Sequence, residues 1–350
     1  MALLERLINT YRNRSVLVTG GASFIGSHLV DRLLDLGSEV VVVDDFSSGR
    51  KEHLARLDEG NILELDLADR TRTLEELPEC EFVFHLAAVH GGRGFIDTFP
   101  DQVLVNLAID NNVYTAAARA GTRRVIHASS ACVYPTTLQE DSSSRHLLAE
   151  SEAGFDVPGR AFSDGAYGWT KIIGEYQLWQ FALQLRFQGA SARIFTAYGE
   201  RENESHAAIA LIAKALLEMD PYPVWGDGFQ TRNFTYVADT VQGLLLLGSL
   251  SGDHPFRAVN VGSTQHHTVR EFIETTFELL GWRPQKLEFQ TWRPVGVASR
   301  ASNNTLIREL LGWEPQVSLR EGIARTLAWY ADRADRPQTA DELEDLLLAR

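Results

Sequence analysis

Ser15-Val-Leu-Val-Thr-Gly-Gly-Ala-Ser-Phe-Ile-Gly26 decides the fold. A short apolar run ends in a glycine-rich turn, and a helical pattern over residues 26–36 opens from that turn. Such a turn lets backbone N–H groups and a helix N-terminus approach a pyrophosphate. A second apolar run, Val40-Val-Val-Val43, ends at Asp44, 18 positions past Gly26. A carboxylate there bonds the ribose hydroxyls of an adenosine and repels a 2′-phosphate, which predicts NAD rather than NADP. Asp45 is a neighbour able to share that role.

Working outward, further apolar runs at residues 62–65, 82–86, 125–128 and 192–195 read as strands. Several lack polar alternation, as strands buried on both faces do. Helical patterns lie between them, weak near 73–77, longer over 102–120 and 167–187. Strand and helix alternating in this way predict an α/β fold, a doubly wound parallel sheet of the Rossmann type. All strand C-terminal ends then share one edge, where ligands bind. The expected NAD-binding domain is residues 1–195, with a return around 235–262. Residues 196–350, where Gly, Pro and Trp punctuate, read mainly as a smaller C-terminal substrate-binding lobe. The polar stretch 136–165 reads as a long loop, functional or mobile. The charged tail 332–350 reads as a surface helix.

The chain has 350 residues and a net charge of −14, which disfavours nucleic-acid and anionic-membrane partners, since both need a broad basic face. Two cysteines exclude a disulfide framework and a four-cysteine zinc site, fit a reducing compartment, and leave no metal expected. Charges at Glu5 and Arg6 break what a signal peptide needs as an apolar core. Leu3, Leu4, Leu7, Ile8 and Tyr11 fall on one face of a short docked helix. No apolar run is long enough to span a membrane, so a cytoplasmic address is expected.

Tyr167-Gly-Trp-Thr-Lys171 sets Tyr and Lys one helical turn apart, where an ammonium lowers the phenol pKa. Ser129-Ser-Ala-Cys-Val-Tyr134 ends a strand at the ligand edge. With Thr19–Gly26, Asp44, Asp66-Leu67, His85-Leu-Ala-Ala88, Asn106, Tyr198-Gly199, Trp225–Phe234, Arg293-Pro294 and Leu311-Gly-Trp313, the chain resembles the extended short-chain dehydrogenases/reductases, specifically the NAD-dependent nucleotide-sugar epimerases and dehydratases. The resemblance implies Gly20, Ser23, Phe24, Ile25, Gly26, Asp44, Asp66, Leu67, Ala87 and Lys171 as NAD contacts. It implies Ser130, Tyr167 and Lys171 for the hydride chemistry. Arg232 and Arg293 would grip the diphosphate of a nucleotide sugar, as planar forks suited to phosphate oxygens. Ser23 replaces the family's middle glycine, so a hydroxymethyl must fit beside the pyrophosphate. Thr196 stands where relatives usually carry Asn.

Cys132 is informative about the reaction. Dehydratases of the family usually carry an Asp-Glu pair at positions 131 and 132, and decarboxylases a Glu at the second. Ser-Ala-Cys-Val-Tyr-Pro instead resembles the GDP-mannose 3,5-epimerases and, less closely, the GDP-fucose synthases. The stretch Ala87–Ile96, with Gly91, Gly92 and Arg93, resembles the glycine-rich substrate loop of those epimerases; His90 and Arg93 are substrate contacts or solvated loop. His206, after Glu202-Asn-Glu-Ser, takes the second acid/base position, at a helix start that Asn203 or Ser205 would cap. The expected enzyme is thus an NAD-dependent epimerase working through a transient 4-keto sugar, with Cys132 as thiolate and His206 as imidazolium. The alternatives are a 4-epimerase using only Ser130, Tyr167 and Lys171, then a dehydratase or decarboxylase, then a non-catalytic dinucleotide binder. The resemblance also implies a homodimer formed by helices 102–120 and 167–187, with Val103, Leu107, Tyr176, Trp179 and Leu183 facing the partner or the sheet.

Overall fold

In the computed structural model of the protein, residues 2–347 are described, apart from 156, 158, 186 and 253. The chain runs α1 (Ala2–Tyr11), β1 (Ser15–Thr19), α2 (Phe24–Asp35), β2 (Glu39–Asp44), β3 (Ile62–Glu64), α3 (Arg70–Glu76) and β4 (Phe82–His85). Helices α4 (Arg93–Thr98), α5 (Pro100–Val103) and α6 (Asn106–Arg119) follow, then β5 (Arg124–Ser130), α7 (Gly165–Leu185) and β6 (Gln188–Ile194). Beyond these come β7 (Ala197–Tyr198), α8 (Ala207–Leu216), β8 (Tyr222–Trp225), β9 (Thr231–Arg232), β10 (Thr235–Tyr236), α9 (Val237–Gly248) and β11 (Phe256–Val261). The remainder is β12 (His267–Thr268), α10 (Val269–Leu280), β13 (Leu287–Gln290), α11 (Thr305–Leu311), α12 (Leu319–Ala331) and α13 (Ala340–Leu347).

Seven strands form one parallel sheet in the order β11-β6-β5-β4-β1-β2-β3. Strand order reverses between β1 and β4, which opens a crevice at their C-terminal ends. Register places Thr19 beside both Val43 and His85, and His85 beside His127, so the glycine turn and the ends of β4 and β5 meet at that edge. The missing alternation in β1 has a direct cause. Val16 and Val18 pack into one apolar cluster with Leu29, Leu33 and Leu244, whereas Leu17 joins another with Val83, Val113 and Leu178. The sheet is therefore buried on both faces, as a doubly wound sheet must be. Strand β11 lies inside the expected return segment and pairs with β6 along its whole length.

Several boundaries differ from the sequence reading. The helical run 102–120 is two helices, parted at Leu104–Val105, where Asn106 turns inward. Its side chain accepts from the Val89 N–H at 2.6 Å and donates to the Val89 carbonyl at 2.9 Å. On α1, Leu7 and Tyr11 are buried and the Tyr11 hydroxyl donates to the Leu245 carbonyl, but Leu4 faces outward. Within the charged tail, Leu343 and Leu347 of α13 are buried. The 136–165 loop is anchored by Leu148, which bridges to Ser302, and by buried Gln139. No helix among the described residues is long and apolar enough to cross a membrane.

Candidate active site

Two cavities open at the crevice. The smaller, about 200 Å³, is lined by Gly20, Ser23, Asp44, Asp66, Leu67 and Ala87, all predicted NAD contacts. The larger, about 590 Å³, is lined by Phe24 and Ile25, by Ser130, Tyr167, Lys171 and His206, and by Arg300. That volume lies in the range of small-molecule sites.

The glycine turn fits a dinucleotide. A Cβ on Gly26 would fall 2.0 Å from the Gly20 carbonyl oxygen, so only glycine lets α2 start this close to the turn. The Ser23 hydroxyl folds back and donates to the Gly20 carbonyl at 2.6 Å, which keeps the hydroxymethyl group within the loop. Asp44 accepts from the Ala22 and Phe46 N–H groups, each at 2.9 Å, so the carboxylate braces the turn it was expected to serve.

Tyr167 and Lys171 lie on the first turns of α7. A Cβ on Gly168 would sit 2.2 Å from the Cys132 carbonyl oxygen, which is why α7 can lie directly against residues 130–132. The Cys132 N–H donates to Ser130 Oγ at 3.1 Å. Cys132 is half-buried beside Ala131, Tyr167 and Arg300, which line the larger cavity; it packs with Phe95, Val103 and Tyr167, and its Sγ accepts from Arg300 Nη1 at 3.4 Å.

The expected lowering of the tyrosine pKa is not what governs Tyr167. Lys171 Nζ is 5.6 Å from the ring centroid, but burial, helped by Cys132 and Asp110, pushes the phenol well up. Burial also lowers Lys171, against the pull of Asp110, Cys132 and Glu175. Asp110 is fully buried on α6. Burial pushes its carboxyl up, but His127, His85 and Lys171 outweigh that and hold it low. It belongs to a chain in which Thr19 Oγ1 meets His85 Nδ1 at 2.7 Å and His85 Nε2 meets Asp110 Oδ1 at 3.0 Å. His85, Asp110 and His127 bring donor atoms within 4.8 Å of one another, but their single carboxylate already compensates Lys171.

The arginines are partly rearranged relative to expectation. Arg93 Nη1 reaches both oxygens of Asp164 at 3.0 Å, and Arg300 Nη2 reaches the same carboxylate at 3.1 Å. Arg232 is in this group too: burial, then the Arg300 charge, push it down to about 9, while its Nη2 donates to the Val295 carbonyl at 2.7 Å. Arg93 also meets Asp97 at 2.8 Å, so three guanidiniums against two carboxylates leave a local positive excess. Arg293 is elsewhere. It pairs with Glu344 and stacks on Trp225 at 5.1 Å; like Arg93 and Arg232 it lines neither cavity, but unlike them it is not gathered round Asp164. Arg300 holds the place expected of it, and the sequence reading missed it. The signal available was a lone arginine among small residues, Ser299-Arg300-Ala301-Ser302.

His206 is itself the N-cap of α8, and no side chain caps it. The expected cap Asn203 instead accepts from the Ser205 N–H and hydroxyl. Burial lowers His206 to about 4, so the imidazole is neutral near neutral pH and not the imidazolium expected from sequence.

Residues 16–262 match the model of the NAD dependent epimerase/dehydratase family. The chain belongs to that family. Among curated relatives, it is 30% identical to GDP-mannose 3,5-epimerase 1 of Oryza sativa subsp. indica over 93% of this chain and 83% of that one. It is 33% identical to UDP-glucose 4-epimerase of Mycolicibacterium smegmatis over 91% and 99%. Among solved structures, MoeE5 in complex with UDP-glucuronic acid and NAD superposes with a TM-score of 0.75 at 32% identity, over 90% of this chain and 98% of that one. Membership brings NAD dependence, and the glycine turn, Asp44 and the smaller cavity fit that cofactor.

Proposed function

We propose that this family member epimerises a nucleotide-diphosphate sugar at carbon 3, carbon 5 or both, through a transient 4-keto sugar, with a GDP-mannose-type sugar as substrate. The observation that carries this reading is Cys132 packed against Tyr167 with Arg300 at its sulfur, beside a cavity that His206 also lines. The 30% identity to a GDP-mannose 3,5-epimerase supports it. NAD would be held by Gly20, Ser23, Gly26, Asp44, Asp66, Leu67 and Ala87 at the crevice, with Phe24, Ile25 and Lys171 on the larger-cavity side, and would supply reversible hydride acceptance from carbon 4. Tyr167 takes the carbon-4 hydroxyl proton, Ser130 hydrogen-bonds the same oxygen, and Lys171 stabilises the phenolate. The ketone acidifies the neighbouring C–H bonds. Cys132 removes such a proton and His206 returns one. The positive excess of Arg93, Arg232 and Arg300, with Gly91 and Gly92 just before Arg93, suits the diphosphate.

Incubation with nucleotide sugars in heavy water tests this. Deuterium is expected at carbon 3 or 5, and Cys132→Ser should cut its entry by about 10²-fold or more, the scale of a lost acid/base group. Epimer formed without solvent deuterium would leave a 4-epimerase, a reading that the 33% identical UDP-glucose 4-epimerase favours.

Two copies are proposed to pair through α6 and α7. Tyr176, Trp179 and Leu183 are 42%, 37% and 51% exposed along α7. Large aromatics in a contiguous exposed patch mark an interface. Val103, a candidate for that contact, is instead fully buried beside Phe95 and Tyr167. Tyr176→Asp with Trp179→Glu is expected to halve the mass seen by light scattering; an unchanged mass would place the contact elsewhere.

A further inference from the structure

Behind His206 lies a carboxyl that the proposed mechanism leaves unused. Glu202 is buried, with a side chain only 5% exposed, and its Oε1 is 3.5 Å from His206 Nδ1. Its Oε2 has no hydrogen-bond partner, and neither ring nitrogen of His206 has one. Of the cations lining the same cavity, Arg201 pairs with Asp31 at 2.7 Å through Nη2 while its Nη1 has no partner, Arg50 pairs with Asp335, Arg333 with Glu204 and Asp335, and Arg300 with Asp164. Burial raises the Glu202 carboxyl, opposed only by the Gly199 N–H.

The ring of His206 is held from its other side. His90 stacks on it, with centroids 5.0 Å apart and planes at 29°, and His90 is in turn 4.9 Å from the Tyr167 ring. A Cβ on Gly92 would strike the Ser205 carbonyl at 1.9 Å, so the glycine is what brings the His90 loop against the His206 turn. Tyr167, His90, His206 and Glu202 thus form one continuous row, of which Tyr167, His90, His206 and Glu202 all line the larger cavity. The other titratable groups lining that cavity are Lys171, Arg50, Glu52, His53, Arg201, Arg300, Arg333 and Asp335.

We propose that Glu202 is the proton store of this site, a positioning residue that acts through His206. It rests on the reading of His206 as the group that returns a proton to the sugar. The neutral carboxyl donates to Nδ1, which fixes the imidazole with Nε2–H toward the cavity. When His206 gives the Nε2 proton to the carbanion beside the ketone, Nδ1 takes the carboxyl proton. One C–H and one Nδ1–H bond form, one Nε2–H and one O–H bond break, and the negative charge passes from the enolate to Glu202. The relay answers a difficulty in the simpler scheme, since a neutral imidazole lacks the second proton an imidazolium would bring. The separation of 3.5 Å needs to shorten by only a few tenths of an ångström, as apo acid/base contacts do on substrate binding.

Glu202→Gln in the full-length enzyme with its NAD is the discriminating variant, because the amide can donate to Nδ1 but cannot release a proton. Solvent deuterium entry at carbon 3 or 5 is expected to fall by about 10²-fold or more, while 4-keto sugar trapped with borohydride falls less than about 10-fold. The decline of exchange at high pH, set in the parent enzyme by loss of the Glu202 proton, should vanish in the variant. Glu202→Asp, which keeps a carboxyl, should retain more exchange than Gln, and it carries the comparison if Gln does not fold. Exchange by Glu202→Gln within a few-fold of the parent overturns the proposal. A second readout needs no turnover. Nitrogen NMR of labelled histidines should show His206 as the Nε2–H tautomer, with Nδ1 accepting, and Glu202→Ala should change that signal. An unaltered signal also overturns the proposal. An absence of deuterium in the parent enzyme, with the Nδ1 signal as expected, overturns instead the reading of His206 as the group that reprotonates carbon.

Discussion

Tyr167→Phe should lower kcat by about 10²–10⁴-fold while the protein keeps its NAD and its fold. The substitution removes one hydroxyl and leaves the ring, which packs on Phe95 and Val103 and faces His90 at 4.9 Å. Stability should therefore change little, and the loss should appear as activity. The pH dependence has a sign that the site dictates. Burial raises the phenol above its ordinary value, so the resting tyrosine carries its proton at neutral pH. A base must shed its proton before it can take one, so carbon-4 oxidation should speed up as pH rises. Lys171 and Asp110 set how far. Lys171 can stabilise the phenolate only while it is charged, and burial works against that charge. Asp110 opposes this more than any other neighbour, itself held as a carboxylate by His127 and His85. The measurement is the pH profile of 4-keto sugar formation, together with NAD content of both proteins. A Tyr167→Phe enzyme with more than about a tenth of the parent's kcat would remove the phenol from the mechanism.

What could be read from sequence, and what could not, divides by whether the determining contacts are local. The strand–turn–helix at 15–26 and Asp44 were legible because a glycine turn and a strand end are set by neighbours in the chain. Buried strands were legible because both faces of β1 meet apolar clusters. The pairing of Tyr167 with Lys171 is likewise one helical turn. The arginines were harder. Arg293 and Arg300 stand seven positions apart, and which of them enters the site is decided by Asp164, 136 positions from Arg300 in the chain. Arg293 is drawn off by Glu344 on α13 and by the face of Trp225. The break between α5 and α6 depends on Asn106 reaching back to Val89, a contact that helical periodicity does not encode. The pKa of His206 depends on burial between loops that only the fold brings together. The motif singles out Cys132 in the sequence, but how closely α7 lies against it follows from Gly168, whose missing Cβ leaves room for the Cys132 carbonyl.

Arg193→Met is the substitution expected to affect stability most, by about 3–5 kcal/mol. The Arg193 and Glu175 side chains are 3% and 5% exposed and meet at 2.8 Å through Nη2 and at 3.0 Å through Nε. Arg193 also donates to the Glu150 and Ala153 carbonyls, at 2.9 and 3.0 Å, and its guanidinium lies 5.2 Å from the Tyr134 ring. Ser129 Oγ donates to Glu175 at 2.6 Å. One guanidinium thus ties β6 to α7, to the 136–165 loop and, through Glu175, to the end of β5. Methionine fills much of the volume but leaves Glu175 charged, buried and without its counter-ion, and removing one partner of a buried pair is what makes such changes costly. Arg193→Met with Glu175→Leu should recover part of the loss, because no unpaired charge remains. Recovery should be incomplete, since the two loop carbonyls lose Arg193 in both variants and Ser129 loses Glu175 in the double variant. Denaturant midpoints of the parent, the single and the double variant check this. A double variant no more stable than Arg193→Met would show that the carbonyl contacts, and not the ion pair, dominate. Activity provides a second check on the geometry. Ser129 precedes Ser130, and Glu175 lies one helical turn beyond Lys171 on α7. Loosening the pair should therefore displace both sides of the proposed catalytic centre, and kcat should fall even under conditions where the variant remains folded.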